Sequence, residues 1–464
     1  MMNPLLSTID DEQKVNKRHR RILWASGLGI FLDGYDLSIM AIVLILLKPQ
    51  WHLGPTLLGL LGTAALVGAL IGGLFGGIIA DRYGRKTVYL IDIAAFFFAA
   101  LLSGFAWDIT SLVILRFILG LGVGADYPLS STYIAEFMPK NKRGSAMTWI
   151  FGLWMGGALF SSLVGLALLH TGPEAWRWML ASGAVPAVLV LWMRRSLPES
   201  PRWYIYRGRL QEAAQVLRWL VPDVNTQERE RLVQETATSM QASRSVSWTM
   251  LFSKPYLRRT IYACVPWFMM DVMGYALGIF LPFMLMHMGL KTPEQAIIGN
   301  SFFTASFVLG WIPLALLIDR VGRRRAQIWG FLGDAISLGL VGLFALSGEP
   351  PFAIVAAGLI IWQIANSFGP GNTTWIIPTE LYPTELRATG HGFATAFSRF
   401  GGVVSVFFLP TLQAELGNGG LLLVLAGAGL IGVLTTWWLG SEMAGQALPE
   451  LLDAGSSQRG RRAA

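Results

Sequence analysis

The sequence predicts an all-α membrane protein with twelve transmembrane helices arranged as two six-helix pseudo-repeats. Of its 464 residues, 53% are apolar and only 14% are charged, the reverse of a soluble protein with a polar coat. Twelve apolar runs reach the ~20 residues that a helix needs to cross a bilayer. In addition, two motifs of the first half recur in the second half at a nearly constant offset.

The apolar runs set the organisation of the chain. One long polar segment divides them into two groups of six. We therefore expect an N-terminal half over residues 1–193, a linker with short amphipathic helices over 194–259, and a C-terminal half with a polar tail over 260–464. The predicted spans cover residues 22–47, 55–80, 87–106, 110–138, 144–169, 176–193, 260–286, 295–318, 326–346, 351–379, 388–413 and 420–439.

The linker carries one clear helical pattern. Its apolar positions 210, 213, 214 and 217 fall on a single helix face. We expect this helix to lie against the cytoplasmic surface of the bundle.

Lysine and arginine residues predict the orientation. Of the 36, 31 lie in loops and tails on one side of the predicted spans, and cytoplasmic loops carry such an excess. We therefore expect an inner (plasma) membrane protein with both termini and the linker in the cytoplasm. The net charge of +8 is then a topology signal rather than a nucleic-acid footprint. The polar, basic stretch before the first long apolar run indicates no cleavable signal peptide.

Composition also excludes several kinds of chemistry. A single cysteine, Cys264, and five scattered histidines offer no disulfide framework and no metal-ligand pattern. The pattern Gly120-x-Gly122-x-x-Ala125 matches a dinucleotide fingerprint, but no strand precedes it. No ATP site and no hydrolytic or redox constellation is evident. We therefore expect neither an enzyme nor a bound cofactor.

Two motifs are repeated between the halves. The run from Asp81 to Lys86 returns 238 residues later as the run from Asp319 to Arg324. The pattern Glu136-x-x-Pro139-x-x-x-Arg143 returns 244 residues later, beginning at Glu380 and ending at Arg387. Two independent motifs at nearly one offset indicate that the six-helix halves are copies of each other.

These motifs resemble those of the major facilitator superfamily, and the resemblance covers essentially the whole chain. In that family the Asp-Arg-x-Gly-Arg-Arg/Lys loop joins the second and third helices of each half. The resemblance implies the major facilitator fold, with solute bound between the halves near the membrane midplane. We expect a monomer in the bilayer whose partners are a small solute and the proton.

The repeated motifs supply a candidate gate. Charges at these helix connections can pair across the halves in one conformation and separate in the other, which biases a two-state equilibrium. The alternative is that the basic loops only set topology. The residues assigned to gating are Asp81, Arg85, Glu136, Arg143, Asp319, Arg323, Glu380 and Arg387.

Ionisable residues inside the predicted spans indicate a solute path. A charge at the centre of a lone membrane helix costs ~2.5–3.5 kcal/mol, so such groups face a partner or a water-filled cavity. Arg116 and Asp126 lie within the fourth span. The alternative is that Arg116 snorkels to a lipid headgroup.

Two acids in the first span are candidates for proton coupling. Asp33 and Asp36 stand three residues apart on one helix face, where burial and mutual repulsion favour the protonated form. Asp126 and Asp271 are further candidates. The alternative for the first span is a capped helix break at Gly34.

Within the superfamily, Gly124-Ala125-Asp126-Tyr127-Pro128-Leu129-Ser130 resembles the signature of the phosphate:proton symporter branch. Trp267-x-x-x-Asp271-x-x-x-Tyr275 resembles that branch's anion-binding face, and Asn372 matches its substrate-binding asparagine. The linker run from Pro198 to Trp203 is also seen in sugar porters and organic-ion transporters. The resemblance implies solute contacts from Tyr127, Trp267, Tyr275 and Asn372, and Arg399 lies in the helix where that branch carries a lysine. We add Trp154 and Arg116 as candidate solute contacts.

One departure from that branch affects the choice of solute. Trp154 stands where the phosphate branch places a glutamine ligand, and an indole offers one donor and a large apolar face. We expect a secondary transporter working by alternating access, in which proton symport carries a small polar or anionic organic solute. A sugar, polyol or phosphate symporter, a drug exporter and a membrane sensor that does not transport are the alternatives.

Overall fold

The computed structural model describes residues 15–139, 141–222, 225–240, 247–287, 292–348, 351–446 and 449. Within these ranges the chain is helical and forms no strand. Twelve helical segments are long and apolar enough to cross a membrane, which confirms the predicted number of spans. The first fourteen residues and most of the polar tail fall outside the described ranges.

The N-terminal half contains the first six spans. The sixth is built from two helices separated by a short irregular segment. These helices are α1 (Lys17–Gln50), α2 (Pro55–Tyr83), α3 (Arg85–Ser103), α4 (Ile109–Phe137), α5 (Arg143–Leu168), α6 (Ala175–Ala181) and α7 (Ala184–Arg195).

The linker and the C-terminal half follow. The eighth and tenth spans are each divided into two helices, whereas the last two spans form one continuous helix kinked at Gly417, which has a φ of 67°. The helices are α8 (Pro201–Tyr206), α9 (Leu210–Leu220), α10 (Thr226–Met240), α11 (Lys254–His287), α12 (Pro293–Ala305), α13 (Phe307–Val321), α14 (Arg323–Leu346), α15 (Phe352–Phe368), α16 (Pro370–Leu381) and α17 (Thr384–Leu439).

Several helices extend beyond the predicted apolar runs. The first begins at Lys17 rather than at 22, because the Asn16 side chain accepts hydrogen bonds from the backbone N–H groups of Arg18 and His19. The sixth span reaches Arg195 and the seventh begins at Lys254, so both ends of the predicted linker are helical. Polar residues end an apolar run without ending a helix.

Glycines allow close approach of helices within and between the halves. A side chain at Gly68 or Gly72 would collide with backbone atoms of α4, at Phe117 and Leu121 respectively. A side chain at Gly77 would instead collide with the backbone of Ala388 in α17, which belongs to the other half. Glycines on one side of α2 therefore let it pack against α4, and glycines on another side let it pack against the second half.

The linker helix α9 packs beneath the N-terminal half. Its buried residues are Ala213, Val216, Leu217 and Leu220, a face rotated slightly from the predicted one. The carbonyl of Leu220 accepts a hydrogen bond from the Asn16 side chain at 2.8 Å. The linker is thus attached to the start of α1.

Candidate solute cavity and its charged neighbours

A cavity of about 140 Å³ lies between the two halves. It is lined mainly by aromatic and apolar side chains, with a small number of polar groups, as in small-molecule sites generally. Both halves contribute to it. The lining includes Tyr127, Phe151 and Trp154 from the first half and Trp267, Asp271, Tyr275, Phe303, Phe307, Trp362, Gln363, Asn366 and Arg399 from the second.

Arg399 is the cation of this cavity. Its Nη1 donates to Asp271 Oδ2 at 2.7 Å, and both side chains are buried. The guanidinium carbon lies 4.5 Å from the ring centroid of Tyr127 and 5.4 Å from that of Tyr275, so two aromatic rings stabilise its charge. Of the described residues that line the cavity, Arg399 alone is positively charged. The structure thus brings together five residues that the resemblance assigned to the site: Tyr127, Trp267, Asp271, Tyr275 and Arg399.

Asp33 lies behind the indole of Trp154. Trp154 Nε1 donates to Asp33 Oδ2 at 3.0 Å, and Asp33 Oδ1 has no hydrogen-bond partner among the described residues. Gly34 packs against the backbone carbonyl of Trp154, which draws α1 and α5 together at this point. Helix α1 runs through Gly34 without interruption, so the alternative of a helix break is wrong.

Asp36 and Arg116 form a separate buried ion pair. Arg116 Nη1 and Nη2 donate to the two carboxylate oxygens at 2.7 and 2.5 Å, and the two side chains are only 1% and 2% exposed. A bidentate pair of this kind has fixed geometry. The structure therefore places Arg116 against an acid, outside the cavity lining and away from a lipid headgroup.

A third charged cluster was missed by sequence reasoning. Arg194 donates to Asp126 at 2.7 Å and to Asp92 at 3.2 Å, and it lies 3.6 Å from the ring centroid of Tyr89. Counting Arg194 among the linker cations was wrong, because α7 continues past the apolar run and the side chain is buried. The available signal was Asp92, an acid inside a predicted span, which requires a partner.

Asn372 does not line the cavity as the resemblance implied. The tenth span is interrupted at Gly369, and the Asn372 side chain donates across this break to the carbonyl of Ser367 at 2.7 Å. Asn366, on the other side of the break, faces the cavity instead. The interruption changes which asparagine of the polar segment points toward solute.

The repeated loop motifs form two similar charged clusters. Arg85 contacts Glu136 at 3.0 Å and Asp81 at 3.4 Å. In the second half Arg323 contacts Glu380 at 2.9 Å and Asp319 at 2.8 Å. Each cluster joins the acid of the loop motif, its arginine and the glutamate of the second motif. Arg143 donates to the carbonyl of Met138 at 3.3 Å, and Arg387 lies near Asp81.

Contacts across the halves lie beside these clusters. Thr389 Oγ1 donates to Asp81 Oδ2 at 3.1 Å, and the Ser145 N–H donates to Asp319 Oδ2 at 3.1 Å. Further along α5, Trp311 Nε1 donates to the carbonyl of Thr148 at 2.7 Å. The cavity is therefore closed on the side of the basic loops in this conformation.

Each cluster also has a glutamate that caps a helix. Glu199 accepts from the Lys86 N–H at 2.9 Å, and Glu442 accepts from the N–H groups of Arg323 and Arg324 at 2.9 and 3.2 Å. Negative charge at a helix N-terminus is favourable. Burial raises the pKa of the Glu199 carboxyl, while its backbone donors and Arg85 oppose that rise.

Twelve spanning helices, with a small cavity closed between two repeat-related halves, define a multi-pass membrane transporter of the major facilitator superfamily rather than an enzyme. The family model described as "Sugar (and other) transporter" matches residues 22–453. The chain belongs to that family.

Three relatives illustrate the range of the family. The putative metabolite transport protein YaaU of Escherichia coli (strain K12) is 32% identical over 95% of this chain and 96% of its own. The niacin transporter NiaP of Acinetobacter baylyi is 29% identical over 84% of this chain and 86% of its own. The probable inorganic phosphate transporter 1-9 of Arabidopsis thaliana is 28% identical over 96% of this chain and 95% of its own. The resemblance to the phosphate branch is thereby confirmed.

A solved structure shows the same fold. The major facilitator superfamily proton:xylose symporter XylE, bound to 6-bromo-6-deoxy-D-glucose, superposes with a TM-score of 0.82 at 23% identity. The match covers 93% of this chain and 97% of that structure.

Proposed function

We propose that this protein is a proton-coupled symporter that moves a small anionic organic solute across the inner membrane by alternating access. The basic loops and both termini face the cytoplasm in this proposal. The observation that carries it is Arg399, the one cation among the described residues that line an aromatic cavity. Arg399 is held against a carboxylate that a solute carboxylate can replace.

The lining supports an anion with an apolar body. Arg399 lies over the rings of Tyr127 and Tyr275, and Trp267 is next to Tyr127. Aromatic rings pack well against a flat or hydrophobic solute. A carboxylate can take both nitrogens of a guanidinium, whereas Asp271 Oδ2 engages only Nη1. The relative named as a niacin transporter handles a carboxylate on an aromatic ring, which is the chemistry this lining suits.

The buried acids support the proton-coupling part of the proposal. The Asp36–Arg116 pair is fully desolvated, and protonation of Asp36 would release the guanidinium from its bidentate contact. A buried pair that can be made or broken by one proton has two discrete arrangements, as alternating access requires. Asp33, Asp126 and Asp271 are further candidates, since each is buried near the cavity or its neighbouring clusters.

The arrangement of Trp154 disfavours inorganic phosphate. Its one N–H is already donated to Asp33, and unpaired phosphate oxygens would cost ~1–3 kcal/mol each. We predict that the protein binds an organic anion more tightly than phosphate. In Trp154→Gln the ratio of these two affinities should fall by about tenfold. Competition binding with purified protein measures this, with Trp154→Phe as the control that keeps the ring and removes the donor. Saturable high-affinity phosphate uptake by the unmodified protein would contradict the prediction.

A proteoliposome uptake screen with an imposed pH gradient tests the proposal. We expect inward accumulation of an organic carboxylate, stimulated by an acidic exterior and accompanied by proton entry. Competition by neutral sugars or polyols alone would favour a sugar porter. Net extrusion would indicate an exporter, and saturable binding without any flux would indicate a sensor.

The charged clusters at the basic loops are proposed to gate the cavity. Asp81 and Asp319 contact the opposite half through Thr389 and Ser145, and neither acid lines the cavity. We expect Asp81→Asn and Asp319→Asn each to change the maximal transport rate by about tenfold, from the ~1.4 kcal/mol of a charged hydrogen bond. Solute affinity should change less than about twofold. Initial-rate kinetics decide between gating and binding, because a large affinity loss at unchanged maximal rate would place these acids in the site.

A further inference from the structure

The ninth span contains a carboxylate that has no cationic partner among the residues that the structure describes. Asp334 of α14 is fully buried, and its Oδ2 accepts one hydrogen bond, from Asn366 Nδ2 at 3.2 Å. Its Oδ1 has no hydrogen-bond partner among the described residues. One neutral donor offsets only part of the cost of desolvating an ionised carboxylate. An ionised Asp334 would therefore be poorly stabilised in this conformation.

Comparison with the first half shows that Asp334 lacks the arginine partner of the repeat-related acid. Asp334 lies 242 residues after Asp92, which is between the offsets of 238 and 244 that relate the repeated motifs. Both acids are on the third membrane span of their half. Asp92 contacts Arg194 at 3.2 Å. The residue 242 positions after Arg194 is Thr436, whose hydroxyl accepts from Gln327 at 2.9 Å. The second half keeps the acid and has a neutral residue in place of the cation.

The elements packed against α14 do not supply another cation in the described part of the chain. On α13 and α16, Asp319 and Glu380 contact Arg323 at the basic-loop end. On α17, Arg399 contacts Asp271 and Arg387 lies near Asp81. The nearest polar group on α15 is Asn366 itself. The remaining charged side chains of these helices that the structure describes, Arg320 and Glu415, are exposed.

Asn366 connects Asp334 to the solute cavity. Its side chain donates to Asp334, and the residue also lines the cavity. The contact lies one turn before the interruption of the tenth span at Gly369. Gly330, one turn before Asp334 on α14, packs against Gly369 and Pro370. A rotation at this interruption would separate Asn366 from the acid and admit cavity water to it.

We propose that Asp334 is a second proton-binding site, which holds a proton in this conformation and releases it toward the cavity during the transport cycle. The inference rests on the proposed proton-coupled transport and adds a second proton to it. In the first half Asp36, Asp92 and Asp126 pair with arginines. The two halves would therefore carry protons by different means: one by breaking an ion pair, the other by neutralising a lone carboxyl group.

Infrared difference spectroscopy tests the protonation directly. The spectrum of the unmodified protein minus that of Asp334→Asn, at neutral pH, should contain the carbonyl stretch of a protonated carboxylic acid. Asp334→Glu should shift that band, and it replaces Asp334→Asn as the test variant if Asp334→Asn does not fold. Asp319→Asn is the matched control, because Asp319 is paired with Arg323 at 2.8 Å and should contribute ionised-carboxylate bands. Carboxylate bands for Asp334 would overturn the inference.

The proton-to-solute ratio tests the release. We expect Asp334→Asn to retain solute exchange while the ratio measured in proteoliposomes falls by one proton. If the unmodified protein couples protons to solute and Asp334→Asn has the same proton-to-solute ratio, Asp334 does not release a proton during transport. The proposed symport would be unaffected by that result. Uptake by the unmodified protein that carries no protons at all would instead reject the proposed function, whatever the spectrum shows.

Discussion

Asp36→Asn is expected to lower proton-driven accumulation about tenfold per unit of imposed pH gradient, while solute exchange across the membrane continues. An asparagine stays neutral and its amide oxygen accepts from only one Arg116 nitrogen, so the bidentate contact is lost and no proton can bind there. A proton carried with a singly charged anion moves no net charge, so the pH gradient drives this step and contributes ~1.4 kcal/mol, or about tenfold accumulation, per pH unit. The variant should therefore accumulate about tenfold less solute than the unmodified protein at an imposed gradient of one pH unit. Steady-state uptake and counterflow in proteoliposomes measure the two quantities separately.

The neighbouring acid provides the comparison for this experiment. Asp33→Asn keeps the Asp36–Arg116 pair and alters only the acceptor of the Trp154 indole. We expect it to change solute affinity through Trp154 and to retain part of the accumulation. If both variants still accumulate solute against its gradient, neither first-span acid carries the coupling proton. If only Asp33→Asn loses accumulation, the proton belongs to Asp33 instead.

Arg194→Met should produce the largest loss of stability among the substitutions considered. The methionine fills most of the space but leaves Asp92 and Asp126 without the cation that they share. Removing one partner of a buried ion pair costs ~3–5 kcal/mol, because the remaining charge stays desolvated. Thermal unfolding of the detergent-solubilised protein measures the change in stability.

The control for this substitution is an arginine whose ion pair with a glutamate lies on the surface. Arg231 contacts Glu235 at 2.7 Å but its side chain is 78% exposed, so Arg231→Met should leave the thermal unfolding of the protein almost unchanged. Adding Asp126→Asn to Arg194→Met should recover part of the loss, since one stranded acid is removed. A loss in Arg194→Met as small as that in the control would show that solvent or lipid reaches the cluster.

The span count and the repeat could be predicted because both depend on patterns along the chain. Apolar runs between basic loops fix the number of membrane crossings, and the offset from Asp81 to Asp319 reveals the duplication. The positions of Tyr127, Trp267 and Tyr275 in the cavity agree with the resemblance. In each case the local sequence carries the information.

The pairing of charges could not be predicted in the same way. Arg194 looked like a loop residue because the apolar run ends just before it, yet the helix continues and brings it to acids 68 and 102 residues away. The assignment of Asn372 to the solute depended on how the chain turns at Gly369. Both outcomes depend on packing between helices that lie far apart in sequence.

The attachment of the linker determines which half it travels with. Helix α9 buries its apolar face under the first half, Leu220 bonds Asn16, and Glu199 caps α3. By contrast, Glu442 caps α14 of the second half. A fluorescent donor on an exposed residue of α9 and an acceptor on the exposed Arg320 would therefore sit on opposite rigid bodies. Energy transfer between them would follow the rocking of the bundle in real time without any label in the membrane.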